Sequence, residues 1–477
     1  MPSILELLLL PLPKREEADE PHTPSYAESL RNRPNSNYTV ECELPKETTH
    51  FVTAPDARGT LEIMQNGLLC ILVCIWTVQH LNVPSQREGQ DRGYSGKIYW
   101  QLKILRTRFK WMLVTLVVPE FLVGKALSDF MGARASMCRV REMKDQYGKP
   151  LPQDEIEGWT KVHAFYADMG GFVLRTRNER DDGHTFSLRH LVSEEVLHLR
   201  ESGKLDKLPD IHKDMINALS KGDVFVKILA IFEILWLAVE VMFRIGYDLP
   251  ISQLEITACA FCSTTIVTYI LWWTKPQGVR IATIIPLETH VTANLNFEPR
   301  LPGFWRYRLS ALDSSKLRER DRPDEPVWND SVPTQAIHSH KNLPLGNMAT
   351  LDIGIILGSI LLGSVHLTAW NFQFPSRVEQ LGWRYASVAI IATIPTYFLT
   401  SAAITTFEKL FLKTSWGEKF FVIKGEFKIK FGLLGFVTAF IYMSARLFIL
   451  FETVYSIFYL PPRAYITTWS QVFPGIF

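Results

Sequence analysis

The 477-residue chain carries almost no excess charge, with 51 Lys and Arg against 49 Asp and Glu and a formal net charge of +2. Nucleic-acid binding through bulk electrostatics needs a clear basic surplus, so that class is excluded. Gly and Pro number 27 each, too few for a collagen-like or wholly disordered chain. Six cysteines, Cys42, Cys70, Cys74, Cys138, Cys259 and Cys262, supply no disulfide framework. Four of them, Cys70, Cys74, Cys259 and Cys262, lie inside apolar runs and read as small hydrophobes. Cys259-Ala260-Phe261-Cys262 is formally a CxxC, but no second pair or nearby His completes a zinc site and no βαβ context supports a redox motif. There is no Walker-type phosphate loop and no GxGxxG after a strand, so nothing supports an ATP pump or a dinucleotide enzyme. A GxSxG elbow is missing too. The DDxxD metal motif of soluble terpene synthases is absent, since Asp181-Asp182 lacks the third carboxylate, and no run has the Arg ladder of a voltage sensor.

What is present is apolar and clustered. Apolar residues make up 47% of the chain, with 13 Trp and 29 Phe. They gather into blocks of about 20 residues, the length a helix needs to cross a bilayer core. Seven blocks qualify: Leu61–Val83, Lys110–Met131, Phe225–Asp248, Ile251–Trp273, Leu351–Trp370, Tyr385–Phe407 and Gly432–Leu460. Several end in Trp or Tyr, which favour the headgroup level. The expected fold class is therefore all-α, a polytopic membrane helix bundle of about seven transmembrane helices with a small helical cytoplasmic lobe.

The chain divides accordingly. Residues 1–57 form a polar tail expected to be disordered, and Ile4–Leu10 lacks the basic lead of a cleaved signal. Residues 58–131 hold two spans joined by an amphipathic loop; 132–224 make the membrane-apposed helical lobe. Residues 225–273 form a transmembrane hairpin turning at Leu249-Pro250, and 274–350 a charged linker, flexible over 310–345. The last three spans occupy 351–460, leaving a short tail at 461–477. Within the lobe, Trp159, Val162, Tyr166 and Met169 recur at helical steps before Gly170-Gly171. Ser193 opens a second helix, and Asp210 a third with Ile211, Met215 and Leu219 along one stripe.

An odd number of spans puts the two termini on opposite sides. Basic residues favour the cytoplasm, and the longer segments carry more of them, so the N-terminus and long loops are expected there. The sequons Asn37-Tyr38-Thr39 and Asn329-Asp330-Ser331 would then stay unmodified. The compartment, endoplasmic reticulum or plasma membrane, is left open.

Ionisable residues inside spans are expensive and mark working sites by default. Glu120 follows Pro119 near the middle of the second span; Glu233, Glu240 and Arg244 lie in the third, Glu255 in the fourth, His366 in the fifth, and Arg446 and Glu452 in the seventh. Glu240 and Arg244, four apart, are spaced to pair. Counted from each entry side, His80, Glu240, Arg244, Glu255, His366 and Glu452 fall in the half of the bilayer opposite the long loops, with Glu120 and Arg446 near the middle, and the expectation is one shared polar cavity. A desolvated carboxyl there can hold a proton and deliver it. His190, Glu194 and His198, at four-residue steps, would share a helix face on which imidazole and carboxylate could hold a divalent metal, though a solvated face explains them more simply. No other cofactor is implied. For His163, Tyr166 and Asp168, packing at the membrane surface is favoured over catalysis.

Ala57-Arg58-Gly59-Thr60, Pro119-Glu120, the run Trp159 to Phe172, Leu254-Glu255-Ile256 and Leu271-Trp272-Trp273-Thr274-Lys275-Pro276 together resemble a family of fungal multi-pass membrane proteins over about residues 55–460. The resemblance implies a fungal source, a membrane location and a place in secondary metabolism, and it brings no catalytic assignment. Three functions fit. One is a membrane-embedded cyclase or isomerase acting on a lipophilic, terpenoid-like substrate, with Glu120 or Glu240 as proton donor and aromatic faces steadying a developing cation. The second is a proton-coupled transporter or channel, and the third a receptor-like or scaffolding membrane protein. The expected partners are the bilayer and a lipophilic small molecule, with no nucleic acid.

Overall fold

A computed structural model of the chain describes residues 50–52, 57–86, 93–177, 186–220, 224–285, 327, 329–331, 350–411 and 424–467. The expected tail, apart from 50–52 and 57, lies outside these residues, as do Asn37 and most of the 274–350 linker. The described chain is mostly helical. The bundle is made by α1 (Thr60–Thr77), α2 (Gly93–Val117), α3 (Pro119–Glu142), α8 (Val224–Gly246), α9 (Gln253–Leu271), α10 (Thr350–Leu367), α11 (Arg377–Phe411) and α12 (Lys424–Tyr455). Between α3 and α8 come four short helices, α4 (Gln153–Gly158), α5 (Lys161–Asp168), α6 (Ser193–Glu201) and α7 (Lys213–Leu219), which build the lobe.

Among the described residues, four segments are long and apolar enough to cross a membrane: Thr60–Thr77, Gln253–Leu271, Thr350–Leu367 and Leu434–Tyr459. A fifth is added if α2 and α3 count as one broken span. The expected continuous span Lys110–Met131 is not formed, because α2 and α3 meet at 109°. Pro119 explains the break. It has no N–H to continue α2, and it pushes Val118 out of the helical region, to φ −133° and ψ 64°.

The lobe corrects the all-α expectation. Strand β1 (Phe172–Arg177) pairs antiparallel with β2 (Phe186–Leu191) and parallel with β3 (Thr283–Ile285), in the order β2-β1-β3. Its core joins Trp159, Tyr166, Met169, Phe172, Leu191 and Leu197. The expected helix before Gly170-Gly171 is α5, closed where Gly170 takes φ 76°. The third lobe helix is shifted, however: α7 starts at Lys213 with the His212 ring accepting from the Asp214 amide, and Ile216 is buried while Met215 faces out. Part of the expected flexible linker is docked, since the Asn82 amide donates to Asn329 Oδ1 at 2.7 Å and Val327 is buried.

Helix directions follow from contacts at the two ends of the bundle. At one end Arg58, just before α1, donates its backbone N–H to Tyr465, after α12, at 2.9 Å. The same Arg58 reaches Glu240 near the close of α8 and Glu255 in the first turn of α9. At the other end the His80 ring, past α1, lies 5.1 Å from Trp272, past α9, and Val83 bonds to Met169 of the lobe. Helix α1 therefore runs parallel to α9 and antiparallel to α8, and the first crossing begins where the last one ends. Arg58 and Tyr465, which flank the described bundle, thus lie at one end of it, whereas seven spans would set them apart. The pair α2–α3 enters and leaves at the lobe end, with its bend inside the bundle.

Helix α10 lies against α3 with small residues at the seam. A Cβ on Gly354 would meet the Gly124 Cα at 2.6 Å, and one on Gly358 would meet the Glu120 Cβ at 2.8 Å. Such close backbone approach is the usual means of helix association in lipid. It also places Glu120 on the seam.

Candidate functional site

Glu120 is the second residue of α3, directly after the bend, and it is wholly buried. Among the described residues, neither of its carboxylate oxygens makes a well-aligned hydrogen bond, although the Tyr442 hydroxyl stands near enough to donate to the carboxyl. The groups closest to its charge are Tyr442 and Arg446 of α12, four residues apart on one face. Arg446 is also fully buried. It donates Nε to the Val117 carbonyl at 3.2 Å and Nη2 to the Leu116 carbonyl at 3.3 Å, the last acceptors of the broken α2. Its guanidinium stands 5.2 Å over the Phe261 ring, and Nη1 has no partner among the described residues. The buried Tyr442 hydroxyl faces the Glu120 carboxyl without a well-aligned hydrogen bond. His366 of α10 adds a third side, within electrostatic reach of Arg446. Its Nδ1 lies 2.7 Å from the Leu362 carbonyl, which leaves Nε2 open. The Trp383 indole ties to the His366 carbonyl at 3.0 Å.

An acid, a phenol, a guanidinium and an imidazole thus share one buried region, in which Arg446 Nη1 and His366 Nε2 have no partner among the described residues and the Glu120–Tyr442 pair is poorly aligned. Burying such groups without partners costs several kcal/mol in apolar surroundings, on the order of 1–3 kcal/mol each from mutational data. Selection for stability alone does not favour this grouping.

The other intramembrane charges do not join it. Glu240 and Glu255 share one cation, with Arg58 Nη2 at 2.9 and 2.6 Å. Glu255 also accepts from the Ser252 amide and hydroxyl, both at 2.8 Å, as part of the capping box that starts α9. Arg244 does not bridge to Glu240. It spans to the carbonyls of Pro250 at 3.0 Å and Ala464 at 2.6 Å, pinning the chain after α12 to the end of α8. Glu233 is half-buried two turns further into the bundle, within electrostatic reach of Cys70 and Cys74. Glu452 is buried beyond Arg446 on α12, with Glu379 as the neighbouring charge. The expected single cavity is replaced by separate groups: Glu120 and His366 lie near Arg446, while Glu240, Arg244 and Glu255 form a matched cluster at the Arg58 end.

A second matched cluster marks the lobe end. Asp129 of α3 bonds to Lys125 one turn earlier and to Lys275 at 2.7 Å. The Lys275 ammonium also sits 4.3 Å over the Trp272 ring. Burial lowers Lys275 to about 8, against the opposing pull of Asp129. Close by, Asp168 accepts from the Ser193 hydroxyl at 2.5 Å and amide at 3.1 Å, linking α5 to α6. Burial raises its carboxyl to about 6 even so.

The possible metal trio of the lobe is not assembled. His190 lies on β2 rather than on a helix, with Nδ1 2.7 Å from the Gly170 carbonyl. Glu194 lies on α6 within 3.9 Å of Arg139, and His198 is exposed. His163 holds the Ile211 carbonyl at 2.6 Å and Tyr166 the Thr283 hydroxyl at 3.0 Å. Both serve packing.

Three residues read as small hydrophobes do converge. Cys70 and Cys74 of α1 bring their sulfurs to 3.4 and 3.8 Å from that of Cys262 on α9. Among the described residues this is the only group of three His, Cys, Asp or Glu whose ligand atoms all lie within 4.8 Å of one another. The signal in the sequence was the four-residue step from Cys70 to Cys74, which places both on one helix face. Arg58 and Asp129, the hubs of the two matched clusters, were also missed, although Arg58 stands in a motif that was noticed.

A family model described as a family of unknown function (DUF8562) matches residues 37–297. No curated protein and no solved structure matches the chain.

Proposed function

The chain belongs to this family of unknown function; with that membership and the geometry of the core as premises, we propose that it is a multi-pass membrane protein that uses Glu120 as a buried proton donor and acceptor. Its substrate is a lipophilic, terpenoid-like intermediate of fungal secondary metabolism, and the reaction is a cyclisation or isomerisation. The observation that carries this is the fully buried Glu120 carboxyl, which among the described residues has no matched cation and only the Tyr442 hydroxyl and the Arg446 guanidinium beside it. A protonated acid in apolar surroundings can protonate an alkene. Arg446 lies close enough to steady the carboxylate left behind, and the Tyr442 and Phe261 rings offer π faces to a developing cation. A second reading, a proton-coupled carrier, draws on the place of Glu120 between ionisable clusters at the two ends of the bundle.

Reconstituted protein given polyprenyl substrates should convert one of them, and Glu120→Gln should lower turnover at least about 100-fold, the span of one general acid. Tyr442→Phe should keep the fold and a larger share of turnover. Substrate flux across the vesicle without chemical change would replace the enzyme reading by the carrier. Activity untouched by Glu120→Gln would end both.

The directions of the helices support six crossings, α1, α8, α9, α10, α11 and α12, with α2–α3 re-entrant. The segments at the lobe end then carry Arg106, Arg134, Arg139, Arg141, Lys144, Lys275 and Arg280, a basic excess that favours the cytoplasm for that end. Cys138, exposed beside the lobe, reports on this directly. In sealed right-side-out vesicles a membrane-impermeant maleimide should leave Cys138 unlabelled until the membrane is opened. Immediate labelling would reverse the orientation.

A further inference from the structure

The sulfurs of Cys70, Cys74 and Cys262 meet inside the bundle and belong to neither of the two charged clusters. Two come from one face of α1 and the third from α9, which runs parallel to it. All three residues are buried, Cys74 completely and Cys262 at 6% exposure. Three thiolates around one metal at about 2.3 Å stand about 4 Å apart in a trigonal plane. Cys262 lies 3.4 and 3.8 Å from the other two sulfurs, so the side chains already approach that arrangement.

The neighbours favour a soft cation. Met112, Ile234, Leu254, Phe261 and Ile457 pack around the cysteines, and Met64 adds a second thioether in the same cluster. No fourth His, Cys, Asp or Glu ligand atom joins the three among the described residues, whereas structural zinc takes four. Soft sulfur donors suit Cu(I), zinc and iron–sulfur clusters, and three sulfurs with the Thr265 hydroxyl as polar neighbour fit low-coordinate Cu(I) best. The half-buried Glu233 of α8, within electrostatic reach of Cys70 and Cys74, raises the affinity of this region for positive charge and lowers it for anions. A disulfide would require two sulfurs to close to about 2.05 Å and would leave the third idle, which gives no reason for three to converge.

We propose that Cys70, Cys74 and Cys262 form an intramembrane three-sulfur site for a soft monovalent metal ion, Cu(I). Binding exchanges thiol protons for the metal, with no change of oxidation state, and each thiolate formed releases one proton. The site stands on this geometry and is independent of the role of Glu120.

Full-length protein in detergent, kept reduced with a phosphine, is loaded with Cu(I) and desalted against a Cu(I)-specific chelator. About one copper per chain should be retained, and X-ray absorption should show sulfur alone in the first coordination shell. Cys262→Ser and Cys70→Ser should each drop retention to background, while Cys259→Ser and Cys138→Ser keep it. Size-exclusion profiles and melting curves of the copper-free variants separate loss of the site from loss of the fold. Should Cys262→Ser unfold, the conservative Cys74→Ser and the copper-induced rise in melting temperature of the unmodified chain carry the test. Background copper in the unmodified chain, retention unchanged in folded Cys262→Ser, nitrogen or oxygen coordination, or preferential retention of Zn(II) would each overturn the assignment.

Discussion

Arg58→Met is expected to destabilise the protein by about 3–5 kcal/mol, the usual cost of removing one partner from a buried ion pair. Arg58 is the shared cation of Glu240 and Glu255, and all three side chains are almost completely enclosed. Without it the two carboxylates face each other, and the nearby Arg244 is already committed to the carbonyls of Pro250 and Ala464. The measurement is a thermal or denaturant melt in detergent. The decisive comparison is a triple variant, Arg58→Met with Glu240→Gln and Glu255→Gln, which removes the charges together and should recover most of the loss. A single variant that melts with the wild type would mean that the cluster does not hold this end of the bundle. A triple variant as damaged as the single would assign the effect to lost packing instead of stranded charge.

Asp129→Asn should cost a similar amount, about 3–5 kcal/mol, at the opposite end. Here the stranded groups are cations, because Asp129 alone serves both Lys125 and Lys275. This loss should depend on pH, with a definite sign. Lys275 is held at about 8, lowered by burial and supported by Asp129. Removing the carboxylate lowers it further, so the folded variant sheds a proton that the folded wild type keeps up to about pH 8. Folding stability rises with pH wherever the unfolded chain binds more protons. The gap between variant and wild type should therefore narrow as pH rises towards 8 and stay constant above it. Melts over that range check the trend; a gap that widens with pH would contradict it.

Both hubs show where sequence reasoning reaches its limit. Hydropathy located the helices: α1, α9 and α10 fall inside the blocks read from the sequence, and the lobe helix before Gly170-Gly171 is where its periodicity put it. Hydropathy gives no direction, however, and direction decides who meets whom. The partners of Arg58 lie up to 197 residues away, and Cys262 is 192 residues from Cys70, so neither meeting is visible in local spacing. The window over Lys110–Met131 averaged across a break that Pro119 had already announced. That one misread element also hid that Glu240 and Glu255 lie at the same end of the bundle as Arg58. The strands were missed for a related reason. Phe172-Val173-Leu174 is a continuous apolar run with no alternation, as suits a strand buried on both faces, and one of its partners arrives from Thr283–Ile285. The burial of Glu120, by contrast, could be read from its position alone. The company it keeps could not, because Tyr442 and Arg446 belong to the last long helix.

The bend between α2 and α3 ties these distant parts into one mechanical element. Arg446 grips the carbonyls of Leu116 and Val117, and three residues further on Glu120 returns to face the same arginine. A slide of α12 along its axis would pull on the elbow and on the acid together, since Pro119 leaves no helical bond to absorb the strain between them. Whatever shifts α12 thus changes the surroundings of Glu120 by two routes at once, as a lever moves its load and its fulcrum.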